Sequence, residues 1–291
     1  MQRLHAFYPA SNSTHNPTAV TSDVANKEVQ LILTAIPNDP TNLQLKRRLE
    51  DALQSDVSSV ASEYLKTPLG DVLKKLWESQ KPELCKWRKI LRDFFEKKAR
   101  CPLCDQIRDM TFGEGDRQDV DHFLPRSSWP ELSMVATNLI PICTTCNSKL
   151  KKTQCMENGE RLFLHPYFDE FIDKVRVNAE VVEVDPLQLN YSLDTSLLSD
   201  EEANIAKTHF ERLALNARYL FRVNEEALAT LQKRIRRLIQ AGKLRDADDV
   251  QAEIRDSAND YRTPDREHCF EAAALAALAT CDSYASAFFT G

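Results

Sequence analysis

Across residues 26–99 the apolar positions recur at helical spacing. Val29, Ile32 and Ile36 fall on one face. The stretch Asn38-Asp39-Pro40-Thr41 then breaks the pattern, and Thr41 is placed to cap a second helix carrying Leu45, Leu49 and Leu53. Further periodic stretches near 57–65, 68–77 and 84–95, punctuated at Pro68 and Pro82, predict a compact helical region with short loops. Between 100 and 153 the helical period disappears. Gly113 and Gly115 offer turn chemistry, Asp119-Val120-Asp121-His122-Phe123 alternates as a strand, Asn138–Ile142 reads as a second strand, and Asn147–Lys152 as a short helix.

Further on, Val175, Val177, Ala179 and Val181 alternate and predict a hairpin with Leu189–Leu193. Ser199 followed three residues later by Glu202 is a capping box, which opens a helix expected to run to about Val223. Two or three more helices are expected up to about Phe288. The predicted fold is mainly α with a small α+β core. Its parts are an irregular arm (1–25), a helical region (26–99), a compact core (100–170), a hairpin linker (171–198) and a C-terminal helical region (199–291).

Hydrophobic residues make up 42% of the 291 positions and charged residues 28%, which is ordinary for a water-soluble domain. No apolar run approaches the roughly 20 residues of a membrane helix. The segment from Met1 to Pro17 has no apolar block behind a basic start, so no export signal is expected and the cytoplasm is the default compartment. A net charge of −6 argues against a polyanion partner. The charge is uneven, however: residues 86–152 hold thirteen Lys/Arg against nine Asp/Glu, and residues 233–245 hold six basic residues and no acid. That second run can grip a nucleic-acid backbone or pair with the acids of residues 246–256.

The eight cysteines divide into two groups. Cys101/Cys104 and Cys143/Cys146 form two C-x-x-C pairs, a spacing that presents two thiolates to one Zn²⁺ from each tight knuckle. The 38 residues between the pairs suit an insert that folds and returns to the same ion. Cys85, Cys155, Cys269 and Cys281 share no such spacing and read as buried thiols.

The insert carries the chemistry. Asp121-His122-Phe123-Leu124-Pro125, then Asn138-Leu139-Ile140-Pro141-Ile142-Cys143, then Cys146-Asn147-Ser148-Lys149 resembles the HNH endonuclease family in its zinc-knuckle ββα-metal form. The resemblance covers about a fifth of the chain. It implies a nuclease core within 100–170, with His122 as general base, Asp121 and Asn147 as ligands of a catalytic Mg²⁺ or Mn²⁺, and Asn138 fixing the loop that orients the base. Asn147 stands where the family carries its last histidine, which shifts the metal preference toward oxygen-loving ions. Elementary chemistry agrees with these roles. Phosphodiester hydrolysis needs a base near neutrality and a hard cation at the phosphate.

Arg126, Lys149, Lys151 and Lys152 are candidate phosphate contacts. His165, in Phe163-Leu164-His165-Pro166-Tyr167-Phe168-Asp169, is either an extra ligand or a packed histidine, and Asp169 shares that alternative. The expected substrate is nucleic acid, DNA before RNA. No sequence-reading module is recognisable, so targeting falls to the flanking helices or to another protein. The resemblance extends to bacterial anti-phage effectors of Septu and retron type, and with it comes an ATPase partner. A different class of function stands beside this one: a zinc-stapled nucleic-acid-binding or scaffold module that does not cut.

Overall fold

The computed structural model describes residues 74, 75, 77, 78, 80, 85, 100–106, 119–133, 138–262 and 269–290. The arm expected at 1–25, almost all of the helical region expected at 26–99, and the turns at Gly113 and Gly115 lie outside them. The chain divides into two compact units, with the boundary between Glu170 and Phe171. Helices coexist with small antiparallel sheets, an α+β architecture.

In the unit that ends at Glu170, β1 (Asp119–His122) pairs antiparallel with β2 (Leu139–Ile142), with Asp121 opposite Ile140 and His122 opposite Leu139. All four residues of β2 are buried, as are Phe123 and Leu124 beyond the end of β1. A two-stranded ribbon is marginal alone in water. Here a helix and a buried segment complete its packing. Helix α1 (Thr145–Lys151) is wound in the π pattern and starts two residues ahead of the sequence expectation, directly behind the Cys143 knuckle. After it, β3 (Met156–Glu157) and β4 (Glu160–Arg161) form a small hairpin around Asn158 and Gly159, both at positive φ. That dipeptide is the one a two-residue primed turn demands.

The segment that follows, Leu162-Phe163-Leu164-His165-Pro166-Tyr167, is buried throughout. Its Tyr167 hydroxyl donates to the carbonyl of Leu139 at 2.9 Å, tying it to β2. An ion pair closes the segment: Arg161 Nη1 reaches both carboxylate oxygens of Asp169, at 2.8 and 2.7 Å, and Asp169 also accepts from the amide of His165.

The unit from Phe171 onward is built on a hairpin of β5 (Arg176–Val184) and β6 (Leu187–Asp194), with a register irregularity between Val181 and Glu183. The hairpin is part of a core rather than a linker. Tyr191 of β6 meets Tyr219 edge-on, and Tyr219 stacks on Phe270 with centroids 4.3 Å apart. Helix α2 (Asp200–Arg212) begins at the capping box expected from sequence, with Ser199 and Glu202 exchanging hydrogen bonds. It stops short of Val223. Ala214 takes a left-handed conformation (φ 49°) and separates it from α3 (Leu215–Arg222), which continues through a π-wound stretch (Val223–Leu228) into α4 (Ala229–Gln240).

Helices α5 (Ala247–Asp260), α6 (Phe270–Leu278) and α7 (Asp282–Ser286) complete the unit. Part of the basic run on α4 is answered by acids of α5, since Arg234 lies 2.5 Å from Glu253 and 3.7 Å from Asp260. Among the described residues no helix is long and apolar enough to cross a membrane.

Candidate metal centre and adjoining polar site

The sulfurs of Cys101, Cys104, Cys143 and Cys146 all lie within 4.8 Å of one another. Four thiolates around zinc at about 2.3 Å stand roughly 3.8 Å apart, and Cys104 and Cys143 are separated by 3.9 Å. The second knuckle turns its backbone toward sulfur. The amide of Cys143 donates to Cys101 Sγ and the amide of Cys146 to Cys143 Sγ, both at 3.4 Å. In the first knuckle Asp105 adopts φ 54°, and the turn is closed by Asp105 N–H to Cys101 O (2.8 Å) and Cys101 N–H to Gln106 O (3.0 Å).

Hydrogen bonds from the neighbouring cysteines lower the Cys143 thiol, whereas burial raises that of Cys104. Four thiols gathered this closely are a donor set that a divalent ion takes as thiolates. The donor set and its spacing fit a structural zinc. Cys155 is outside the cluster. It is a buried thiol, pushed up to about 11 by burial.

The second knuckle joins β2 to α1, with Cys143 directly after Ile142 and Cys146 in the first turn of the helix. The metal centre thereby fixes where α1 begins, and with it Asn147. The Asn147 amide donates to Cys143 O at 2.9 Å, and the Asn147 carbonyl accepts from Lys152 N at 2.8 Å. Lys151 lies four residues further along the same helix.

At the end of β1 the groups are held as follows. His122 is buried, its Nε2 is 2.9 Å from the Ser133 carbonyl, and its ring meets Trp77 edge-on at 5.1 Å. A carbonyl only accepts, so Nε2 carries the proton and Nδ1 keeps the lone pair. Burial lowers the His122 pKa to about 4, with Arg126 and Lys151 adding to the effect, so the ring is neutral at physiological pH. Asn138 is fully buried. Its Oδ1 accepts from Leu124 N (2.8 Å), and its Nδ2 donates to Leu124 O (3.0 Å) and Leu132 O (3.1 Å). It thus clamps the segment that supplies the carbonyl of Ser133.

Asp121 and His122 do not hydrogen-bond to each other. Lys151 connects them, with its Nζ 2.6 Å from Asp121 Oδ2 and donating to the backbone carbonyl of His122 at 3.1 Å. The Asp121–Lys151 contact is an ion pair that buries Oδ2 of the carboxylate. Asp121 and Asn147 offer hard oxygens, the donor type that suits Mg²⁺ or Mn²⁺.

The other candidates separate. Lys149 and Lys152 are exposed on and just after α1, as phosphate contacts must be. Lys151 is not: its side chain has no exposure, so it is corrected from a surface contact to an internal counter-ion. The reason is positional, since one helical face points into the ribbon and Lys151 is on it. Arg126 is partly exposed, but its guanidinium is engaged with Glu78 Oε1 (2.5 Å) and Lys74 O (3.0 Å). His165 is fully buried against Phe123 (4.2 Å) and Phe168 (4.6 Å), with Nδ1 accepting from Tyr167 N at 3.2 Å. Burial holds its pKa well below the usual value. Asp169 serves the ion pair with Arg161. Sequence reasoning missed Ser133 and Trp77, which act through a carbonyl and a ring face and leave no motif.

No family model matches the chain, and no solved structure matches it. The chain is similar to the protein ea31 of Escherichia phage lambda, 29% identical over 123 residues. The match covers 41% of this chain and 39% of that protein, so the shared region spans about two fifths of either.

Proposed function

We propose that the chain is a metal-dependent endonuclease of the HNH type, which hydrolyses phosphodiester bonds of nucleic acid, DNA in preference to RNA. The observation that carries this reading is the state of His122. It is a neutral imidazole with Nε2–H committed to Ser133, so Nδ1 is the nitrogen able to take a proton. It stands at the end of a strand whose neighbouring carboxylate, Asp121, is tied to the helix that carries Asn147. The chain order of strand, strand, knuckle and helix supports the same reading.

In this mechanism Nδ1 of His122 accepts a proton from water as its oxygen bonds to phosphorus, and the bond from phosphorus to the leaving oxygen breaks. An anionic phosphate beside the ring favours the imidazolium and raises its basicity above that of the resting site. Asn138 acts on the reaction through position only, by holding the Leu132–Ser133 segment. Asp121 and Asn147 would hold Mg²⁺ or Mn²⁺, which when bound supplies positive charge to the phosphate and the departing oxygen. Exposed Lys149 and Lys152 add electrostatic attraction for the backbone.

The ion pair between Lys151 and Asp121 is the observation that favours the second reading, a zinc-stapled module that binds without cutting. Zinc-loaded protein incubated with supercoiled plasmid and with single-stranded RNA separates the two. The nuclease reading expects nicking that requires added Mg²⁺ or Mn²⁺ and disappears in Asp121→Asn. Binding without cleavage across both substrates and both ions would favour the second reading.

A further inference from the structure

Lys151 is completely buried, and among the described residues its ammonium is paired with the carboxylate of Asp121 at 2.6 Å. Its other neighbours are the His122 carbonyl at 3.1 Å and the face of Phe123, with the ring centroid 5.8 Å away. Burying an ammonium costs several kcal/mol, and an apolar residue in its place would pack against Phe123 without that cost. The charge also has an electrostatic consequence. Asp121 and Lys151 carry opposite charges 2.6 Å apart, so the pair itself has no net charge. The ammonium beside the carboxylate repels a divalent cation and offsets the attraction of Asp121 for it. A phosphodiester brings the missing negative charge.

We infer that Lys151 is a built-in counter-cation that makes the divalent ion at Asp121 bind together with the substrate phosphate rather than before it. The inference rests on the nuclease reading and assigns Lys151 as a positioning residue. It sets the order of assembly and holds the Asp121 carboxylate against the end of β1. In the terms of linkage, metal and nucleic acid are coupled ligands, each tightening the other by the same factor. Without DNA the protein would hold Asp121 in a neutral pair and keep the metal off it.

Binding of Mn²⁺, followed by the loss of its free electron-paramagnetic-resonance signal, tests this on the full zinc-loaded chain. In wild-type protein Mn²⁺ affinity is expected to rise roughly tenfold or more when a hydrolysis-resistant phosphorothioate duplex oligonucleotide is added. Lys151→Met, and Lys151→Gln which keeps a donor for the His122 carbonyl, are each expected to bind Mn²⁺ roughly tenfold or more tightly without DNA. Lys151→Arg is expected to stay near wild type. Zinc content measured in parallel shows which variants retain the fold, and the wild-type arm needs none of them.

Unchanged or weaker Mn²⁺ affinity in both charge-removing variants, or no effect of DNA on the wild-type affinity, overturns the inference. If Mn²⁺ binds wild type, is lost in Asp121→Asn and ignores Lys151, this inference falls alone. If Mn²⁺ binds neither wild type nor the variants, with or without DNA, the metal-dependent nuclease reading falls with it.

Discussion

The Nε2–H of His122 is given to the backbone carbonyl of Ser133, 2.9 Å away, and that one bond decides which face of the imidazole is available for chemistry. The bond depends on a residue that touches neither group. Asn138 Nδ2 donates to the carbonyl of Leu132, adjacent in the chain to Ser133, and its remaining bonds grip both backbone groups of Leu124.

Replacing Asn138 by Ala removes three buried hydrogen bonds and leaves the Leu124 amide without its partner. A loss of about 2–4 kcal/mol in urea-denaturation stability is expected. Because the loop carries the Ser133 carbonyl, cleavage should fall more in kcat than in KM. A KM change alone would mean that Asn138 serves substrate binding.

Zinc is expected at one ion per chain by elemental analysis. Cys143→Ser or a strong chelator should melt the β1–β2–α1 unit, since the metal joins the residue 101–104 knuckle to the start of α1. The stacked Tyr219–Phe270 core uses none of those sulfurs and should keep its helical circular dichroism signal.

Acid should destabilise the protein through two of its buried histidines, His122 and His165. In the unfolded chain both titrate near 6.5; folded, His122 waits until about 4 and His165 lies well below 6.5, each held down first by burial. The unfolded state therefore binds more protons below pH 6.5, and stability is lost as the pH falls through that window, by up to about 1.4 kcal/mol per pH unit for each group. Above pH 6.5 the effect is absent. His165→Phe, which keeps an aromatic ring against Phe123 and Phe168, should flatten the slope measured by denaturation between pH 6.5 and 5. An unchanged slope would show that His165 does not supply it.

Much of this was legible in the sequence, for specific reasons. The C-x-x-C pairs are read from spacing because two thiols at that separation point at one ion, and the four sulfurs do converge. Strand β1 follows from alternation, β2 lies within the stretch Asn138–Ile142 read as a strand, and Ser199 with Glu202 marks the start of α2 through a local pair of bonds. The β3–β4 hairpin carries its signal in Asn158-Gly159, a turn dipeptide that lies outside the metal-binding motifs.

Other features carry no local signal. Nothing in Leu213-Ala214-Leu215 announces a helix break, because no Gly or Pro stands there, yet Ala214 turns left-handed between two fully buried leucines. Lys149, Lys151 and Lys152 look alike as residues. Only the direction of α1 against the ribbon turns the middle one into a buried counter-ion while its neighbours face solvent.

Plasmid nicking by zinc-loaded wild type and His122→Ala, compared in the same Mg²⁺ and Mn²⁺ buffers at equal zinc content, bears most directly on the role given to this imidazole. Removal of a general base predicts a rate lower by about 10²–10⁴-fold in the variant. Nicking by His122→Ala at the wild-type rate would contradict the assignment and leave Nδ1 without a function.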